Sequence, residues 1–281
     1  IVKTEVSDAT ELQAAIENTV GGEIVLTDDI VLTQTLEFGS ASTKSGATAE
    51  TEFILDLNGK TIDAPLAENS ETNHIYALEN YSKLTIKGNG TINARGIFNY
   101  GDLTLENGTI NAIDGNGGYA IRNYPGSTFT MNGGTIATTL EDDNKVDKGG
   151  YDATTLRVDE GASAVINGGT INNICDYTFA LDNYGKVIIN AGTFTSVHST
   201  VSSYGNLTIN GGSFTCNGIE GITAHALVAW DGSETTITGG SFDGKDNYNG
   251  FNVDAGKGSV VNISGGEFLY VHSGSLYGEG T

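Results

Sequence analysis

The stretch LTIKGNGTIN, residues 84–93, returns down the chain as LTLENGTIN (103–111), FTMNGGTIA (129–137), AVINGGTIN (164–172), VIINAGTFT (187–195), LTINGGSFT (207–215), TTITGGSFD (235–243) and VNISGGEFL (261–269). An earlier, altered copy is ILDLNGKTID (54–63), which makes about nine units. The second glycine of each unit falls at Gly59, Gly90, Gly108, Gly134, Gly169, Gly192, Gly212, Gly240 and Gly266, at intervals of 18 to 35 residues. The shorter intervals suit one coil of a solenoid, and the longer ones carry insertions. In L-T-I, apolar residues flank an outward hydroxyl with period two, the pattern of a half-buried strand. The N-G or G-G that follows supplies positive φ for a tight turn, and T-I or S-F opens a second strand.

Stacking the units in parallel at about 4.8 Å aligns one buried column: Ile92, Ile110, Ile136, Ile171, Phe194, Phe214, Phe242, Phe268. Beside it runs an outward column of hydroxyls: Thr91, Thr109, Thr135, Thr170, Thr193, Ser213, Ser241. A second phrase precedes the first in five coils: LENYSK (78–83), IFNYGD (97–102), IRNYPG (121–126), LDNYGK (181–186) and VSSYGN (201–206). An asparagine at such a turn can bond backbone groups of its own and neighbouring coils, so the reading is an inward asparagine ladder with each following tyrosine outside. Recurrent glycines and β-branched residues oppose helices. One segment alone reads as helical, within residues 7–20. There Asp8 is placed as N-cap with Glu11 three residues on, and Leu12, Ala15, Ile16 and Val20 form one apolar face. A solenoid needs its ends covered, so this helix is the expected N-terminal cap. No comparable cap is read in the C-terminal SLYGEGT, which suggests an excised piece of a longer protein. The fold class is therefore all-β, a parallel β-helix of about nine coils, with residues 1–281 as one domain.

Composition narrows the partners. Thirty-five acidic against 13 basic side chains give a formal charge of −22, which argues against nucleic acid, since phosphate backbones are bound by cationic patches. No stretch approaches the roughly 18 apolar residues of a membrane span, and no signal-peptide pattern is seen. Forty glycines follow no collagen period. The expectation is an acidic monomer that does not insert into membranes.

The N-G-G-T-I repeats, the opening from Val6 to Ile16 and LDLNGKTI at 55–62 resemble the right-handed parallel β-helix of the pectate-lyase-like superfamily, in particular the repeat regions of secreted and surface-anchored bacterial proteins. The resemblance implies an extracellular or cell-surface, adhesin-like module. Its expected partner is a polysaccharide, a surface glycan or a host or cell-surface protein. A polysaccharide lyase or glycoside hydrolase is the alternative, and an ice-binding face or a plain spacer the third reading. The same fold hosts all of these, so the site has to decide.

Tyr81, Tyr100, Tyr124, Tyr184 and Tyr204 occupy equivalent turns and are the candidate ligand-binding row, because flat apolar rings with polar tips suit sugars. Mutual stacking that protects the turn is the competing reading. Insertions at 138–155 (the longest), 112–119, 216–226 and 243–250 all follow the T-I or S-F strand and should share one flank. Within the longest, Glu141, Asp142, Asp143, Asp147 and Asp152 are a candidate Ca²⁺ set, since Ca²⁺ takes 6–8 oxygen ligands. They lack EF-hand spacing, and a solvated charge cluster is the plainer reading; no other cofactor is expected.

For catalysis, the polygalacturonase pattern of paired aspartates, G-H-G and R-I-K is absent. The one arrangement that the stacking register offers a lyase is Arg122, Arg157, Asp159 and Asp182, although arginine is a reluctant base. His74, His198, His225 and His272 show no zinc spacing and read as surface or loop residues. Cys175 and Cys216, two coil steps or about 10 Å apart, read as free buried thiols. Two outward T-x-N columns resemble an ice-binding face, but Glu267, Asp243 and Leu269 interrupt them.

Overall fold

The computed structural model describes residues 2–17, 20–39, 50–64, 77–113, 119–138, 154–175, 178–218, 223–244, 250–269 and 276–278. Three parallel sheets of 11, 10 and 10 strands wrap a common core. The L-T-I segments form the first sheet, the T-I and S-F segments the second, and the segments ending in N-Y the third. One coil runs Lys83–Lys87, Thr91–Ala94, Ile97–Asn99, and the next Asp102–Leu105, Thr109–Ala112, Ile121–Asn123. Leu84 pairs with Leu103, Ile92 with Ile110, and Ile97 with Ile121. This is a parallel β-helix. About ten coils are formed rather than nine, because Gly22–Leu26, Ile30–Val31 and Leu36–Phe38 complete one coil without the glycine phrase.

The core is a set of ladders. The column from Ile92 to Phe268 is in register throughout. Every member is buried except Phe268, which is half-buried in the last coil. Its phenylalanines stack at 4.8, 4.8 and 5.1 Å between ring centres. Each buried side chain of this size contributes roughly 1.5–3 kcal/mol, repeated at every coil. The turns between the first two sheets explain the recurring glycine. Gly134 has φ +80°, and a Cβ there would sit 2.6 Å from the carbonyl oxygen of Gly108 in the coil beneath. Left-handed backbone and close approach coincide, which only glycine accommodates.

The cap helix, Ala9–Ile16, packs against the terminal strands Lys3–Val6 and Leu36–Phe38 and buries Leu12 and Ile16 in the core. Asp8 accepts the N–H groups of Thr10 and Glu11, while the Glu11 carboxylate accepts from Ser7 N at 2.8 Å instead of from Asp8. The helix is shorter than the expected 7–20. Val20 lies outside it and is exposed, because the chain turns away through Gly21 and Gly22, both at positive φ. No helix among the described residues is long and apolar enough to cross a membrane.

Connections place the insertions. The segments 113–120, 139–155, 217–226 and 244–252 each join a strand of the second sheet to one of the third. They share one edge of the prism, as their common position in the repeat requires. Thr138 and Thr155, at the two ends of the longest, hold their hydroxyls 2.9 Å apart in the interior. Residues 139–153, including Glu141, Asp142, Asp143, Asp147 and Asp152, lie outside the described residues.

Candidate functional site

The opposite edge of the third sheet, where the chain turns into the first, gathers most of the remaining candidates. Its geometry starts with buried amides. Asn80 Nδ2 donates to Asn99 Oδ1 and Asn99 Nδ2 to Asn123 Oδ1, both at 2.8 Å, while the same groups bond the turn backbone at Ser82, Asp102 and Thr128. With the asparagines turned fully inward, alternation throws the next residue outward. Tyr81, Tyr100 and Tyr124 therefore project from successive coils, and their rings stack at 4.7 and 4.3 Å between centres, 3° and 14° from parallel. Tyr184 and Tyr204 repeat this at 4.7 Å and 7°.

The row is longer than the tyrosines alone. Trp230 stacks on Tyr204 at 5.4 Å and 10°, and its Nε1 donates to Ser202 Oγ at 3.0 Å. The signal that finds it is turn length. Tyr124, Asp159, Trp230 and Gly256 each stand ten residues before the second glycine of their unit, whereas Tyr100, Tyr184 and Tyr204 stand eight before. Each of those four accepts a hydrogen bond at its carbonyl from the residue three further on, so they hold one position in the same turn. In register, the row reads Tyr81, Tyr100, Tyr124, Asp159, Tyr184, Tyr204, Trp230.

At the coil of Asp159 a ring is missing, and an ionic layer replaces it. Arg122 and Arg157 are register partners on the outer side of the third sheet. Both donate through Nε to Asp159, at 2.9 Å to Oδ2 and 2.8 Å to Oδ1, and Arg157 Nη1 reaches Asp182 Oδ2 at 3.3 Å. The Arg122 guanidinium lies 4.5 Å from the Tyr124 ring centre, and that of Arg157 4.5 Å from Tyr184. Tyr124 and Tyr184 are two coils, roughly 9–10 Å, apart, so the guanidinium layer fits between them and keeps the stack continuous through cation–π contact. The four residues that a lyase would use are thus brought together, but as a mutually neutralised cluster. Burial pulls the Arg157 pKa down. The hydrogen bond to Asp159 and the charge of Asp182 outweigh it and hold the guanidinium above its ordinary value, a direction that opposes proton abstraction.

The rings lie face to face, so their faces meet each other and their edges and hydroxyls meet solvent. Tyr100 and Tyr204 are the most exposed of the row. The Tyr81 hydroxyl donates to Glu79 Oε2 at 3.0 Å. Burial, then the Glu79 hydrogen bond, raises the Tyr81 phenol above its ordinary range. Burial and the Asp182 charge push Tyr184 up to about 12. Both remain donors at any physiological pH. Beside the column run two adjoining shallow depressions. One is lined by Arg122, Pro125, Arg157, Asp159 and Tyr184, the next by Ala162, Tyr184, Lys186, Tyr204 and Asn206.

A family described as a pectate lyase-like adhesive domain matches residues 3–226, about four-fifths of the chain. The chain belongs to that family. No curated protein and no solved structure matches it. The chain is accordingly an adhesin-like module, and its family points to a role at the surface or outside the cell. Within this adhesive domain no three or more His, Cys, Asp or Glu side chains group to hold a metal ion among the described residues.

Two of the four histidines differ from expectation, and His74 and His272 lie outside the described residues. His225 is buried and His198 half-buried, although both sit in connecting segments. Burial lowers the pKa of each to about 4. The N–H of Phe251 donates to His225 Nδ1 at 3.0 Å, leaving the imidazole proton on Nε2, which faces Asp254 Oδ2 at 3.5 Å. The histidine bridges two connections and was hidden in the sequence because neither belongs to the repeat. Cys175 and Cys216 are not joined in a disulfide; Cys216 is buried with its Sγ 2.9 Å from the His198 carbonyl, and Cys175 is half-buried.

Proposed function

We propose that the domain adheres by binding a glycan along the aromatic column, in the depressions beside Tyr184 and Tyr204. The observation that carries this reading is the column itself. Six rings and one guanidinium layer run along the solenoid with a repeat near 5 Å, holding phenol, amide, ammonium and guanidinium groups at fixed spacing. A polymer lying beside it meets an equivalent contact at every coil, and many weak contacts add through multivalency. Sugar hydroxyls find donors in the tyrosines, Lys186 and Asn206, and an acceptor in Glu160, on a surface ordered in advance by the ladders beneath it.

The test is electrophoresis through gels containing single polysaccharides, chosen from a glycan array run on the purified chain. Wild-type protein is expected to be retarded by at least one polymer. The Tyr184→Ala, Tyr204→Ala double variant is expected to bind about tenfold more weakly with circular dichroism unchanged. Equal retardation of wild type and variant would remove the column from the proposal.

A further inference from the structure

The aromatic column ends in a way that assigns one of its positions to a ligand. Tyr204 covers one face of Trp230. On the other side, the register position in the next coil is Gly256, which has no side chain to continue the stack. Among the described residues no ring or cation lies on that outer face. The indole is half-buried and anchored through Nε1 to the buried Ser202, so its orientation is fixed before any ligand arrives. Among the described residues, the ring layer in the coil of Gly256 places no side chain on this ordered aromatic floor.

The residue two places before each ring, on the outer side of the third sheet, shows what that layer offers. In the first ring-bearing coil it is Glu79, which accepts the hydrogen bond from Tyr81 Oη in the same layer. In the coil of Gly256 it is Asp254, a partly exposed carboxylate. Asp231, in the coil of Trp230, and Lys257, in the coil of Gly256 itself, are both exposed and occupy matching turn positions. An apolar face with a carboxylate in plane and charged groups at its rim matches a pyranose ring, whose C–H face is apolar and whose edge carries hydroxyls. We infer that the outer face of Trp230 is a stacking subsite for a neutral pyranose, with a sugar hydroxyl donating to Asp254 as Tyr81 donates to Glu79. Uronic acids are disfavoured by Asp231, Asp254 and the −22 net charge. A protein partner would need roughly 800 Å² of buried surface, far more than one ring face supplies. The subsite rests on the glycan reading above and gives it an end point.

Trp230 is the only tryptophan in the chain, so its emission reports this position directly. The wild-type protein is titrated with cellohexaose and with chitohexaose, and with oligogalacturonate as the charged control. A saturable change in emission with a neutral hexamer and none with the uronate is expected. Gly256→Phe adds the missing ring. Its backbone is not left-handed, and a Cβ would lie 3.0 Å from the Ala229 carbonyl oxygen and 3.5 Å from Trp230 Cα, so a small shift admits it. This variant is expected to keep or raise Tm and to abolish the emission change, while Asp254→Asn weakens binding about tenfold. A neutral hexamer bound as tightly by Gly256→Phe as by wild type overturns the subsite. So does a polymer that retards the wild type through Tyr184 and Tyr204 yet leaves the emission of Trp230 unchanged, and that result preserves the column reading. Silence on the array, in the gels and in emission overturns both.

Discussion

At the scale of single residues, Asp159 and His225 show how one side chain sets a local balance. Asp159 stands where the register calls for a ring, and two guanidinium groups converge on its carboxylate. Asp159→Ala would leave Arg122 and Arg157 side by side with only Asp182 near one of them. Breaking such a partly buried cluster is expected to cost about 2–3 kcal/mol, at the lower end for buried pairs because both arginines retain solvent contact. Urea unfolding monitored by circular dichroism reads this cost, and a loss below about 0.5 kcal/mol would class the cluster with ordinary surface pairs. His225 gives a pH dependence with a definite sign. Its pKa is about 4 in the folded chain against an ordinary 6.5, so between those values the unfolded chain binds the extra proton. Stability is then fully present above about pH 6.5 and falls as the pH drops toward 4, by up to about 3 kcal/mol for this group. His198, Asp254 and the Phe251 amide face the same imidazole or its neighbourhood, and His198 adds in the same direction. His225→Gln is expected to flatten the fall between pH 6.5 and 5 in urea titrations. An unchanged slope would show that the imidazole is not the group responsible.

At the scale of the strand and turn, in-register repetition makes every ladder cooperative with its neighbours. Phe214 lies between Phe194 and Phe242 at 4.8 Å on each side, and Phe214→Ala should cost about 3–5 kcal/mol, because the fixed coil spacing prevents collapse around the cavity. Calorimetry on the variant tests this, and a cost near 1 kcal/mol would mean that the core relaxes freely along the solenoid axis. The same repetition explains what the sequence disclosed. Ile92 through Phe268 was readable because each ladder member follows a turn of fixed chemistry, and the asparagine ladder because Asn and Tyr recur together. Asp159 and Trp230 escaped that reading because Val158-Asp159 and Ala229-Trp230 replace the Asn-Tyr pair, whereas Tyr124, in a turn of the same greater length, keeps it. The five tyrosines share one row, as their equivalent turns require. Face-to-face contact between them depends on ring rotation and the coil rise, which composition does not encode. His225 and the insertions belong to connections outside the repeat, where no periodicity constrains a neighbour.

Across the whole molecule, charge and architecture pull against each other. Stacking coils at about 4.8 Å puts equal positions of successive repeats beside one another, so an acidic sequence becomes rows of like charge. Glu37 and Glu79 are direct register partners. Elsewhere the rows alternate, as Glu52, Lys83 and Asp102 do in the first sheet, and Lys87 lies 2.7 Å from Glu23 and 3.5 Å from Asp56. Such exposed pairs contribute little each, and 13 basic residues cannot offset 35 acidic ones. Repulsion spread along the solenoid should therefore dominate the response to salt. Raising the ionic strength from about 10 mM to about 150 mM shortens the Debye length from roughly 30 to 8 Å. That screens coils several steps apart while leaving the partly buried Arg122, Asp159 and Arg157 layer largely intact. Tm is expected to rise by a few degrees over this range and then level off. A falling Tm in differential scanning calorimetry would mean that the short ion pairs outweigh the net charge. The net charge also acts on the ligand. A module that is itself a polyanion gains nothing from charge attraction to acidic polymers, so glycan retention is expected to persist, with little change, as salt is raised across the same interval.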